Sequence, residues 1–382
     1  MLIKMLQANF ICFDADFTLI KYKLKNFLKL EYQSLSRCLV KLGYPDLFNQ
    51  EEFLSKMHTH ILNGLVADLQ NGFLLKLSKD HRVLKAYYGF EELSPQKLEE
   101  HYGSSLLFQL EGITNYYIPG KRWVFLTHFA YGAAMLFRAG VELYKRGELS
   151  SLENLVTDIK KAVNMNFDTV NGESLDSEFY PAFYADPKPY VHKHHEDIAR
   201  SLEALKARGK KLVLVTNSSQ EYSEVIFKHA YGENWKSYFE YLVYSARKPF
   251  FFSNEAPFEQ LGSKEFKAGN SKELERLLGE GSYVYVGDHY IGDVLAPKLY
   301  ANWKVVAFLE EIYYEKGLEK ISTCEEIEVL DENTPEDEVL EYYEEWGSFF
   351  LEGLTETLWW SLIKQYSDLC APNLESLLSV LE

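Results

Sequence analysis

The chain has 382 residues, 47% of them hydrophobic and 25% charged, which is the composition of a globular protein and not of a disordered one. Its length suits two domains, or one large domain with a substantial insertion. Forty Lys and Arg against 57 Asp and Glu leave a net charge of −17; fifteen acids against two lysines between Glu310 and Glu345 carry −13 of it. With no basic excess to release counterions, a nucleic-acid polymer is excluded as the expected partner.

The start, MLIKMLQANFICFDAD, is interrupted by Asn9 and then by acids, with no small-residue cleavage site, so no signal peptide is expected. The apolar run Phe10–Phe13 leads straight into Asp14. The next comparable strand signal ends at Thr216, 202 residues on, far beyond one crossover connection. Between them, residues 28–185 are rich in helix-period segments such as Leu35, Leu39 and Leu42, or Phe129, Ala133 and Phe137. This stretch reads as a mostly helical insertion. It holds one candidate hairpin, at Asp68–Tyr88, turning at Asn71-Gly72 or at Lys79-Asp80-His81. The longest apolar stretch without a formal charge, Trp123–Phe137, is shorter than the roughly 20 residues a membrane span needs. The expectation is a cytoplasmic protein with no membrane partner.

Asp186-Pro187-Lys188-Pro189 is the expected hinge back into the first domain. His192, His194 and His195 read as a polar helix start, since no further metal ligands stand near them. Ile198, Leu202 and Leu205 predict a helix ending ahead of Gly209, and Leu274, Leu277 and Leu278 another ending ahead of Gly279. Leu212–Val215, Tyr241–Tyr244, Val284–Val286 and Val305–Leu309 are short runs without polar alternation, as buried parallel strands require. Strand–helix alternation from about 195 to 310 therefore predicts an α/β fold, a parallel sheet covered by helices on both faces. The acidic stretch follows and is expected to be a solvated or regulatory segment. Leu354, Leu358, Trp359, Trp360 and Leu362 then predict a packed C-terminal helix. Cys12, Cys38, Cys324 and Cys370 show no CxxC spacing and read as thiols.

Four polar motifs sit just past the strands, where ligands bind in such sheets. Phe13-Asp14-Ala15-Asp16-Phe17-Thr18 places two carboxylates two residues apart. A metal and a lysine can make a carboxylate a competent nucleophile toward a phosphoryl group, and a second acid can protonate the leaving oxygen and then activate water. Thr216-Asn217-Ser218 offers hydroxyl and amide donors for phosphate oxygens. Lys248 offers a cation, and Gly287–Asp293 (GDHYIGD) adds Asp288 and Asp293, oxygen donors suited to Mg2+.

With these motifs the chain resembles the haloacid dehalogenase (HAD) superfamily, and within it the cytosolic 5′-nucleotidases, most of all the 5′-nucleotidase domain-containing proteins. Beyond FDADFT, LVTNSS, ARKPFFF and GDHYIGD, the segments GLVADLQNGFLLKL (64–77), AYYG (86–89), YANWKVVAFLEEI (300–312) and EEWGSFF (344–350) carry the likeness, over about residues 8–350. The resemblance implies a Rossmann-like parallel sheet, a HAD-like core of residues 1–27 and 186–312, with a large helical cap of 28–185 inserted after the first strand. An acidic extension of 313–382, ending in a helix, follows. It implies Asp14 as nucleophile, Asp16 as general acid/base, and Thr216, Asn217 and Lys248 on the phosphate. Mg2+ would be held by Asp14, the Asp16 carbonyl and Asp288, with Asp293 orienting them. The implied activity is Mg2+-dependent hydrolysis of a small phosphomonoester, a nucleoside 5′-monophosphate, through an aspartyl-phosphate. Phosphotransfer, another phosphorylated metabolite, or a binding and scaffold role with negligible turnover are the alternatives, and a homo-oligomer is compatible with all of them. At the cap positions that read a purine in that family stand Lys160, Asn164 and Phe167, and Phe73 replaces an asparagine after Gly72. The expected chemistry therefore comes without an expected purine preference.

Overall fold

The computed structural model describes residues 7–110, 112, 115–167, 169–170, 173–174, 177–193, 196–315 and 340–374. His194, His195, Cys324 and the acidic residues from 316 to 339 lie outside the described residues. The chain divides into two compact units, one of Met1–Lys23, Ala182–Glu336 and Ile363–Glu382, the other of Leu24–Pro181 and Asp337–Leu362.

The first unit is built on eight strands: β1 (Phe10–Phe13), β2 (Lys211–Val215), β3 (Tyr241–Tyr244), β4 (Phe258–Gln260), β5 (Glu265–Ala268), β6 (Tyr283–Gly287), β7 (Lys304–Phe308) and β8 (Leu369–Ala371). Their order is β4-β5-β3-β2-β1-β6-β7-β8, and every pairing is parallel except β4 with β5. The side-chain period of two explains the lack of polar alternation. Phe10 and Cys12, Val213 and Val215, and Tyr283 and Tyr285 form one apolar cluster with Phe252, Leu274 and Trp303. The intervening Ile11, Phe13, Leu212, Leu214, Val284 and Val286 are buried as well, so both faces of the sheet are covered. Helices Glu196–Ala207 and Ser271–Leu278 end just ahead of Gly209 and Gly279, as the sequence predicts. The sequence did not announce β4, β5 or β8. β8 is held by Asp368, whose carboxylate accepts from Lys298 (2.6 Å), Lys304 (3.0 Å) and the Val305 N–H (3.0 Å).

The second unit has the expected helices and a sheet larger than the one expected hairpin. Helices Leu24–Lys41, Tyr131–Lys145 and Leu152–Phe167 are present. With them is a six-stranded antiparallel sheet, in order Glu91–Glu92, Val83–Tyr88, Phe73–Leu77, Leu65–Asp68, Arg122–Phe125 and Tyr117–Ile118. Three of these strands are buried at every position, so their sequences lack the alternation that marks a half-exposed strand. Both candidate turns are used. Asp68 accepts from the Gln70 and Asn71 N–H groups at 3.1 and 3.3 Å and Gly72 takes φ +76°, while Lys79–His81 joins the next pair of strands.

The C-terminal extension is corrected. The EEWGSFF segment is part of the second unit's interior: Trp346 is fully buried and donates to the His60 carbonyl at 3.0 Å. Arg138, 1% exposed, grips Glu345 through two bonds of 2.7 Å, so this half-buried acid is paired. Trp359 and Trp360 pack as expected, on helix Leu358–Tyr366, with Trp359 donating to the Gly64 carbonyl at 2.8 Å. Cys12, Cys38 and Cys370 are buried thiols outside any disulfide. Among the described residues no helix is long and apolar enough to cross a membrane.

Candidate active site

Asp14 follows β1 and continues its ladder, donating its N–H to the Val286 carbonyl at 2.9 Å. The chain then turns sharply, because the Ala15 carbonyl accepts from the N–H groups of Leu19 and Ile20 at 2.8 and 2.9 Å and Phe17 takes φ 56°. A non-glycine residue in the left-handed region is costly and is kept only where its surroundings hold it. The turn brings Asp16 beside Asp14. Thr18 donates across to Asp288 at 3.2 Å.

Lys248 is the centre of charge. Its ammonium lies 2.8 Å from Asp14 Oδ1, 2.6 Å from Asp293 Oδ1 and 2.7 Å from the Tyr285 hydroxyl, and it is 8% exposed. Burial lowers its basicity, but the two carboxylates outweigh that and hold the ammonium above its ordinary value. The loop before it is aimed by β2's end: Ser245 and Ala246 donate to the Ser218 and Thr216 carbonyls at 2.9 Å each. Ser245 and Arg247 take φ 46° and 61° to allow this. Asn217 brackets the Lys248 backbone, its Oδ1 accepting the Lys248 N–H at 2.6 Å and its Nδ2 donating to the Lys248 carbonyl at 3.1 Å. The Thr216 hydroxyl accepts from the Ser218 N–H at 3.0 Å.

The carboxylates of Asp14, Asp288 and Asp293 offer oxygens all within 4.8 Å of one another. Asp293 is fully buried, and its second oxygen accepts from the His289 N–H at 3.1 Å. Gly287 is required here, since a Cβ would meet the Asp293 carboxylate at 2.5 Å. The His289 ring caps the π-helical segment Tyr290–Leu295 after it, accepting from the Gly292 N–H at 3.0 Å. Burial, against a partial offset from Lys248 and reinforced by Asp293, pushes the Asp14 carboxyl up to about 6. Burial and its acidic neighbours Asp14 and Asp293 also hold Asp288 well above its ordinary value. Such a group of hard oxygen donors, with more acid than the ammonium offsets, is suited to a small divalent cation.

Asp16 points elsewhere. Its oxygens accept from the Ser218 hydroxyl at 2.6 Å and from the Tyr22 hydroxyl. Burial, with Asp14 adding to it, pushes its carboxyl up to about 6. The structure thus brings together Asp14, Asp16, Thr216, Asn217, Lys248, Asp288 and Asp293 at the carboxyl ends of four strands. Tyr22 and Tyr285 belong with them and escaped the sequence reading. Tyr285 carried one signal, a polar tip inside a buried strand that must find a partner; Tyr22 carried none. Lys160, Asn164 and Phe167 lie in the second unit, on helix Leu152–Phe167, at a spacing that puts them on one face. Lys160 lies over the Tyr117 and Trp123 rings at 6.0 and 5.9 Å, Asn164 is exposed, and Phe167 packs edge-on against Phe129 and Phe179.

The 5′ nucleotidase family model matches residues 2–341. The chain belongs to the 5′ nucleotidase family. Two curated relatives are the 5′-nucleotidase domain-containing proteins 1 of Homo sapiens and Bos taurus. The human protein is 28% identical over 415 aligned positions, covering 97% of this chain and 90% of its own. The bovine protein is 27% identical over 409, covering 97% and 89%. Among solved structures, a HAD-hydrolase from Bacillus subtilis bound to magnesium aligns with 84% of this chain and all of its own, at 10% identity and a TM-score of 0.27. As a 5′ nucleotidase family member the protein is a phosphoric monoester hydrolase.

Proposed function

We propose that the protein hydrolyses nucleoside 5′-monophosphates, with Mg2+, through an aspartyl-phosphate on Asp14. The observation that carries this reading is the Asp14 carboxylate at the end of β1, 2.8 Å from the buried Lys248 ammonium and grouped with Asp288 and Asp293. The all-oxygen donor set fits Mg2+, which Asp14 and Asp288 would hold with Asp293 behind them. When bound, the ion would neutralise the phosphoryl oxygens and screen Asp14 from the dianion.

The chain's own residues do the rest. Lys248 offsets the charge of Asp14 and of an arriving phosphate, and Asn217 keeps it there through its backbone. An Asp14 carboxylate oxygen attacks phosphorus as the ester P–O bond breaks, and Asp16 gives its proton to the departing oxygen. Asp16, now ionised, takes a proton from water, whose oxygen attacks phosphorus. The bond to Asp14 breaks, and inorganic phosphate leaves. The test is phosphate release with Mg2+ over a panel of nucleoside monophosphates and sugar phosphates, beside Asp14→Asn. Release from nucleotides that Asp14→Asn abolishes is the expected result. Release from sugar phosphates alone removes the nucleotide assignment, and equal release by the variant removes the aspartyl-phosphate.

A further inference from the structure

Asp16 is held from both sides. Its Oδ2 meets the Ser218 hydroxyl at 2.6 Å, and its Oδ1 accepts from the Tyr22 hydroxyl. The Tyr22 hydroxyl lies 2.9 Å from that of Tyr222. The Phe183 ring stands edge-on to both tyrosines, at 6.1 and 5.2 Å between centroids. Tyr22 is also fixed by its backbone. It bridges Val191, and on either side Lys23 donates to the Tyr190 carbonyl at 2.8 Å and His192 to the Lys21 carbonyl at 3.0 Å. Its oxygen therefore has a set position.

A phenol has one hydrogen to donate. Since Tyr22 spends it on Asp16, Tyr222 is the donor in the pair of hydroxyls, and the order of donation runs Tyr222 to Tyr22 to Asp16 Oδ1. That oxygen stays an acceptor. A proton on Asp16 is thereby placed on Oδ2, where the Ser218 hydroxyl, both donor and acceptor, can take the bond until a leaving oxygen replaces it.

We propose that Tyr22, backed by Tyr222, is a positioning residue that keeps the transferable proton of Asp16 on Oδ2, for delivery to the leaving-group oxygen. This rests on the reading of Asp16 as general acid. In the step concerned, the ester P–O bond breaks as the bond from Asp14 to phosphorus forms, and the Oδ2 proton ends on the released alcohol.

The test compares kcat/KM with Mg2+ for β-glycerophosphate, whose alkoxide needs a proton, and p-nitrophenyl phosphate, whose phenolate leaves without one. kcat/KM covers the steps through P–O cleavage, so the later attack of water does not enter. For Tyr22→Phe we expect a loss of about 10- to 100-fold on β-glycerophosphate and no more than about threefold on p-nitrophenyl phosphate, part of the general-acid contribution. Tyr222→Phe gives a smaller loss in the same sense, and carries the comparison if Tyr22→Phe does not fold. Equal losses on both substrates, as a merely structural role would give, overturn the proposal, and so does no loss. Asp14→Asn run alongside separates the two readings: undiminished turnover by that variant removes the phosphoenzyme itself, whatever Tyr22 does.

Discussion

Lys248→Met tests the charge balance of the site, because methionine keeps the bulk of the lysine stem and removes the ammonium that Asp14 and Asp293 share. The Lys248 side chain is 3% exposed, Asp293 0% and Asp14 11%, so solvent does little to screen the loss. Removing one partner of a buried ion pair costs about 3–5 kcal/mol, since it strands the opposite charge. In a unit of this size each kcal/mol moves the melting temperature by about 2–4 °C, so a fall of about 6–20 °C is expected in EDTA. With Mg2+ held by Asp14 and Asp288 as proposed, added Mg2+ should recover more in the variant than in the unmodified protein, because the ion would no longer share the carboxylates with an ammonium. At a hundred times its Kd it stabilises the folded state by about 2.7 kcal/mol. Thermal melts followed by circular dichroism, with and without Mg2+, measure both effects. A variant melting within about 2 °C of the unmodified protein in EDTA would refute the reasoning, being too small for a stranded buried charge. Adding Asp293→Asn to Lys248→Met should restore part of the loss; simple additivity of the two changes would show that the groups are not coupled through charge.

Two further predictions concern elements that close the units. Burial opposes ionisation of Asp368, but bonds from Lys298, the Val305 N–H and Lys304 outweigh it and hold the carboxyl below its ordinary range. That contribution is present above the unfolded carboxyl's range and is lost as pH falls through the lowered folded value, so Asp368→Asn should lower the melting temperature at pH 7 and flatten its fall toward pH 3. Arg138→Met removes the paired bonds to Glu345 and the bond to the Gly89 carbonyl (2.9 Å), a loss of about 3–5 kcal/mol. Trp346, whose ring lies 5.6 Å from the guanidinium, should then become accessible to iodide quenching, and trypsin should cut the second unit faster.

The parallel sheet was legible because its central strands are buried on both faces and so read as uninterrupted apolar runs. The same property concealed all of the second sheet but the stretch around its expected hairpin. Leu65–Asp68 and Phe73–Leu77 are as apolar as a helix core, and near long helix-period segments only the Asn71-Gly72 turn between them marked them as strands. β8 was illegible for another reason. Its three residues have no strand signal of their own, and it joins the sheet through Asp368, which reads as an ordinary surface acid until Lys298, Lys304 and Val305 are brought to it. At the end of the acidic run, Glu345 counts as charge in the sequence and is the ion-pair partner of the buried Arg138 in the fold.

Within the site, residue types marked the chemistry better than they marked the partners. An asparagine after a strand suits a phosphate because its amide both donates and accepts, and the same two functions match a peptide unit: Asn217 uses its oxygen and one of its two Nδ2 hydrogens on the backbone of Lys248. The left-handed Ser245 and Arg247 give the reason. A loop of non-glycine residues holds such angles only if something pays for them, and the bonds from the end of β2 to Ser245, Ala246 and Lys248 do so together. The Thr216-Asn217-Ser218 motif therefore serves the centre by placing its cation on one side and, through the Ser218 hydroxyl, its acid on the other. These two tasks follow from geometry alone and do not depend on which phosphomonoester arrives.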